Sequence, residues 1–164
     1  DSTKIWWDIR PSAKYPTLET RIMDVCTRTD DAISLTALVV STLRALYRLR
    51  MKNQRWREYS SMLIRENRWR AMRYSYDEGL IDFGKGSIVP FEELLDEFIE
   101  ISLEDAKILG CEKEVMAAKN ILNRGTSAHR QLDTYKLSIN AGKNKEEALK
   151  DVVDMLIKET AADL

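Results

Sequence analysis

The chain has 164 residues and a mass of 19.0 kDa, the size of one domain or of a piece cut from a longer protein. Hydrophobic residues make up 44% and charged residues 32%, with only 6 Gly and 3 Pro; this excludes disordered, collagen-like and loop-rich sandwich chains and favours a helix-rich body that buries a core. The net charge of −1 hides an uneven spread, −1 over residues 1–43, +8 over 44–73 and −8 over 77–164, so the basic block reads as a nucleic-acid footprint, a site for phosphorylated ligands, or a face docked on the acidic remainder.

Residues 4–10 alternate, with Ile5, Trp7 and Ile9 on one side and Trp6, Asp8 and Arg10 on the other, which predicts a strand with one face toward a core. Residues 17–24 read likewise, with Thr17, Glu19, Arg21 and Met23 sharing a face. Pro11 and Pro16 stiffen the connection between them, so an antiparallel pair is expected. Two strands alone are marginal, and further sheet partners are expected outside this chain. From Asp30 the period becomes helical, and Ile33, Ala37, Val40, Leu43 and Tyr47 predict the inward stripe of a mostly buried helix.

A second helix is expected over 54–74, with Trp56, Tyr59, Leu63 and Ala71 inward. Residues 80–89, turning at Gly84-Lys-Gly86, predict a small hairpin, and Pro90 opens the next helix. Helices over 91–109, 114–124, 127–141 and 146–161 follow, the first three closed by Gly110, Gly125 and Gly142. The fold class is therefore α+β, predominantly α-helical: a strand pair over 1–28, then a helical region over 29–164 with a small hairpin near 79–89.

The longest apolar run, 32–43, is interrupted by four hydroxyl residues and reads as too short to cross ~30 Å of hydrocarbon. Cys26 and Cys111 lie far apart without metal or redox spacing, which fits reduced thiols in a cytoplasmic protein. The absence of an initiator Met and the abrupt start at Asp1 suggest a piece of a longer protein.

Three groups of residues can carry chemistry. Glu19 and Arg21, two apart on a strand, project from one face and suit a divalent cation beside a phosphate, or else form a solvated ion pair. Asp8 and Arg10 on the neighbouring strand either grip a substrate carboxylate through the guanidinium or bridge one another. In the third group, Glu66, Arg70 and Arg73 share a helix stripe, so Glu66 can pair with Arg70 and leave Arg73 for an anion. His129, the only histidine, suits a capping or surface role better than a catalytic triad, and no Gly-rich phosphate loop of either common type is present.

With these segments in view, the chain resembles the C-terminal part of the carboxylate-amine ligase family, which includes the glutamate-cysteine ligase type 2 enzymes. The resemblance rests on Trp7-Asp-Ile-Arg-Pro-Ser12, Pro16-Thr-Leu-Glu-Thr-Arg-Ile-Met-Asp24, Glu66-Asn-Arg-Trp-Arg-Ala-Met-Arg-Tyr74 and Gly125-Thr-Ser-Ala-His-Arg-Gln-Leu132. It implies a glutamine synthetase and guanidino kinase-like catalytic fold that uses ATP and Mg²⁺ to phosphorylate a carboxylate, which an amine then attacks to form an amide. By that resemblance Glu19 is a metal ligand, Arg21 a contact to the transferring phosphate, Arg10 a contact to substrate or phosphate, and Arg70 and Arg73 supports of the site or contacts to the nucleotide.

The partners it implies are a glutamate-like amino acid, an amine and the missing N-terminal part of the same catalytic domain. A membrane or nucleic acid is not expected, and a second copy of the chain is left open. Relatives usually place Gly where this chain has Ser75, and often Asp where it has His129. With its other metal carboxylates lying upstream, the isolated piece is expected to be inactive. The rival reading is a helical RNA-binding or adaptor module in which Trp56, Tyr59 and Trp69 stack on bases among the arginines of residues 44–73.

Overall fold

Pro11 and Pro16 do bracket a tight connection, and Ser12 fastens it: its Oγ accepts from Lys14 N and Tyr15 N at 3.2 and 3.1 Å. In the computed structural model, which describes residues 4–162, this connection joins β1 (Ile9–Pro11) to β2 (Leu18–Thr20). The pair is antiparallel, with Arg10 opposite Glu19 and Pro11 opposite Leu18. Both strands are shorter than the alternation predicts, and no side of the ribbon faces a core: Trp6, Trp7, Leu18 and Ile22 are exposed by 80, 61, 54 and 63%.

Helix α1 (Thr29–Met51) carries Asp30 and Asp31 in its first turn, where carboxylates meet unpaired N–H groups. Its 23 residues include an 18-residue stretch of mean hydropathy 1.3, long and apolar enough to cross a bilayer by length and composition alone, where the apolar run over 32–43 read as too short. The predicted inward stripe is also corrected. Ile33, Val40 and Tyr47 are exposed, and Asp31, Ser34, Ala37, Leu38, Ser41 and Ala45 are buried. Small residues on that face permit close approach to α3 (Phe91–Leu109) and α4 (Glu112–Ala117).

Leu95, Ile99, Ser102 and Ala106 form the buried stripe of α3 at helical spacing, and with Ala37, Leu38, Val115 and Ala118 they make the core. Pro90 and a left-handed Gly110 (φ 73°) bound this helix as expected. The single helix expected over 114–124 is two, α4 and α5 (Lys119–Arg124), because Ala118 N and Ile121 N turn to carbonyls three residues back.

Helix α2 (Ser61–Tyr74) starts later than expected and has no buried residue, so the inward positions expected at Trp56, Leu63 and Ala71 are not a core stripe. The hairpin β3 (Leu80–Asp82) and β4 (Ser87–Val89) forms as predicted, antiparallel with Ile81 opposite Ile88. Asp82 Oδ1 accepts from Gly84 N and Lys85 N at 2.7 and 3.0 Å, and these turn bonds hold its carboxyl below the usual carboxylate range. Helix α6 (Ser127–Asn140) packs on α7 (Lys145–Ala161), whose start is closed by a reciprocal capping box between Asn144 and Glu147.

Candidate functional site

The ribbon register decides the geometry of the first cluster. Because Arg10 stands opposite Glu19, their side chains leave the same face, and Arg10 Nε donates to Glu19 Oε2 at 2.7 Å. Arg21 approaches the other oxygen, Oε1, at 3.7 Å, and its guanidinium also lies 4.4 Å from the centre of the Trp6 ring. Thus Glu19 and Arg21 co-face as the spacing requires, and Arg10 joins them. The alternative Asp8–Arg10 bridge is not formed: Asp8 Oδ2 accepts from Arg68 Nη1 on α2 at 2.7 Å.

Glu19 remains 48% exposed along its side chain, whereas Arg10 is 16% and Arg21 28% exposed. Two partly covered guanidiniums flank one half-exposed carboxylate. Such a surface fits an anion with several oxygens, a phosphate above all. It fits a cation less well. Among the described residues no group of three or more His, Cys, Asp or Glu side chains is placed to hold a metal ion, and Glu19 stands within reach of two positive charges.

The two arginines of α2 are not joined to this cluster. Arg70 Nε and Nη2 donate to the carbonyls of Gly79 and Glu78 at 3.1 and 2.7 Å, so it clamps the turn before β3 and does not pair with Glu66. Arg73 is exposed, with its guanidinium 5.7 Å from the Tyr74 ring centre. One turn before Arg70 sits a tie that the stripe reading missed: Asn67 accepts from Ile81 N at 2.7 Å and donates to Ile81 O at 2.9 Å, as a further strand would. A side-chain amide buried in a motif dense with arginines is the only signal the sequence offers for it.

The basic block is thus divided among several tasks. Arg44 Nη1 donates to Asp105 Oδ1 at 2.6 Å, and Arg48 donates to Oδ2 through Nε and Nη2 at 3.1 and 2.9 Å. Asp105 is fully buried. Burial pushes its carboxyl up, but the hydrogen bonds from Arg48 and Arg44 outweigh this and leave it below the usual range. This is the docking of basic block on acidic remainder that the charge pattern allowed. Trp56 and Trp69 stay 46 and 47% exposed, and Tyr59 meets Phe83 at 4.8 Å.

His129 is half-buried and bonded across the fold, not the cap or surface residue expected. Its Nδ1 lies 2.7 Å from Thr126 Oγ1, its Nε2 3.3 Å from both oxygens of Asp77, and its ring stacks on Tyr76 at 4.5 Å. The neighbouring Arg130 binds Glu159 on α7 through Nε and Nη2 at 2.6 and 3.0 Å, and Thr27 Oγ1 donates to Glu159 at 2.6 Å. The segment leaving the ribbon is therefore pinned to α6 and α7.

The motifs quoted above lie on the ribbon, on α2 and at the start of α6, the segments in which the likeness to a ligase family resides. The family model of glutamate-cysteine ligase family 2 (GCS2) matches residues 1–155, and the chain belongs to that family. Relatives carrying the name "Putative glutamate--cysteine ligase 2" align along the whole chain: the protein of Rhodospirillum rubrum is 56% identical, that of Jannaschia sp. 51% and that of Paracoccus denitrificans 48%. The chain spans 42, 43 and 44% of their respective lengths.

Proposed function

We propose that this chain is the C-terminal part of an ATP-dependent carboxylate-amine ligase that joins glutamate to cysteine or a similar amine, within a glutamine synthetase-like catalytic fold. The observation that carries the reading is the Arg10–Glu19–Arg21 arrangement on an exposed ribbon, in a chain of this family. In the reaction, a carboxylate oxygen of glutamate takes the γ-phosphoryl group from ATP, and ADP leaves. The amine nitrogen then attacks the acyl carbon, the C–O bond to phosphate breaks, and inorganic phosphate and one proton are released with the amide.

Arg10 and Arg21 supply fixed positive charge where negative charge spreads over the phosphoryl oxygens, the largest single contribution available to such a step. Glu19 holds the two guanidiniums apart and aimed from one face. As a ligand for Mg²⁺ it offers one carboxylate already engaged by arginines, so this chain alone does not fit the ion, and its other ligands belong to the rest of the protein. Arg70 supports the site by holding the turn at Glu78 and Gly79.

The exposed residues Trp6, Trp7, Leu18 and Ile22 support the same reading, since bare apolar side chains on a two-stranded ribbon suit packing against further strands. The test is ADP release coupled to amide formation from glutamate and cysteine. The full-length protein is expected to turn over, and the 164-residue chain alone is expected not to. Turnover by the isolated chain refutes the incompleteness; no ATP-dependent amide from the full-length protein refutes the activity.

A further inference from the structure

Among hydrogen bonds between described residues, a single one leaves residues 4–22 for the helical body, that from Arg68 Nη1 to Asp8 Oδ2 at 2.7 Å. Asp8 has a second contact on its other side: its backbone carbonyl accepts from Arg21 N at 2.7 Å. One residue therefore links α2 directly to Arg21, next to the end of the strand bearing Glu19, and it lies two positions before Arg10. Arg68 in turn stands on a helix that buries nothing and is held by polar side chains, Asn67 on Ile81 and Arg70 on Gly79 and Glu78. The hold runs from the hairpin through α2 to the ribbon.

Resting on the ligase reading above, we propose that Asp8 and Arg68 are a positioning pair that fixes the Arg10–Glu19–Arg21 face of the ribbon against the helical body. Neither residue touches the reacting groups. Each acts through the ribbon, Asp8 by the carbonyl that takes the Arg21 amide and Arg68 by gripping the Asp8 carboxylate. Both side chains are about half exposed, Arg68 by 52% and Asp8 by 45%, so the pair contributes through orientation, and its strength is that of an exposed ion pair.

The experiment reverses the charges in the full-length protein: Asp8→Arg, Arg68→Glu and the exchanged double variant. Amide hydrogen exchange at Arg21 and Ser12 reports ribbon order, and initial rates report kcat and the KM for ATP. An exposed pair of this kind corresponds to roughly a two- to fivefold effect. Each single reversal is expected to speed exchange at Arg21 and to lower kcat/KM for ATP by about that factor, with the thermal midpoint unchanged, and the double variant is expected to restore both. Singles that leave exchange and kinetics at the wild-type level, or a double variant as impaired as the worse single, overturn the inference. A wild-type protein without ATP-dependent amide formation defeats the ligase reading instead, while the exchange arm still decides whether the pair holds the ribbon.

Discussion

Replacing Asp105 by Asn tests the account of the basic block most severely, because one buried carboxylate answers two arginines of α1. The amide keeps the shape but removes the charge, and its NH₂ end faces a guanidinium where an oxygen stood. Breaking a buried pair by neutralising one partner costs roughly 3–5 kcal/mol. Arg44 and Arg48 retain 34 and 26% exposure along their side chains, so water recovers part of the loss and the lower end, about 3 kcal/mol, applies. Urea denaturation at neutral pH measures it. The sign with pH follows from the lowered carboxyl: the folded state holds the charged form more tightly than the unfolded one. This stabilisation is complete above the ordinary value of 3.8 and is lost as pH falls through the depressed one. The variant lacks this acid-dependent portion, so the two unfolding curves converge below pH 3.8. A loss under about 1 kcal/mol, or a gap that persists unchanged into acid, refutes the argument.

Ser75→Gly is expected to stabilise the chain by about 1 kcal/mol in the same assay, because Ser75 ends α2 at φ 56° and ψ −121°, a conformation that glycine takes without strain. Gly79→Ala is expected to cost more than about 2 kcal/mol, since an added Cβ would stand 2.2 Å from Val89 O at a φ of 66°. Asn67→Ala is expected to lower stability by roughly 1–3 kcal/mol and to speed amide exchange at Ile81, whose N–H loses its acceptor; unchanged exchange there removes the case that α2 is held to the hairpin by side chains.

The features legible in the sequence are those set by local chemistry. Pro90, Gly110 and Gly142 mark helix ends wherever they stand, and Asp82 with Gly86 makes the hairpin turn without help from the rest of the fold. The buried face of α1 was not legible, because its apolar stripe and its packed face are different: Ser34, Ser41 and Ala45 sit inside for their size while Ile33 and Val40 lie open. The division at Ala118 shows only in the backbone, where Ala118 N and Ile121 N bond to carbonyls three residues back, and no Gly or Pro in the segment announces it.

In the candidate site, Glu19 and Arg21 were readable as a co-facing pair from spacing alone. Arg10 was readable as a guanidinium on the neighbouring strand and the register set it opposite Glu19, whereas the ties from Arg68 to Asp8 and from Asn67 to Ile81 join segments 60 and 14 residues apart. Nothing in the local pattern encodes such partners. Arg70, grouped with Arg73 by helical spacing, lies like it near the Tyr74 ring, at 5.8 and 5.7 Å, but is tied by tertiary contacts to Glu78 and Gly79.

The most direct measurement is the ATP-dependent rate of amide formation by the full-length protein with Arg21 changed to Ala. Loss of one preorganised charge aimed at a transferring phosphoryl group lowers kcat by about 10²–10³. A rate within twofold of wild type in a correctly folded variant would contradict the assignment of this ribbon to phosphoryl transfer.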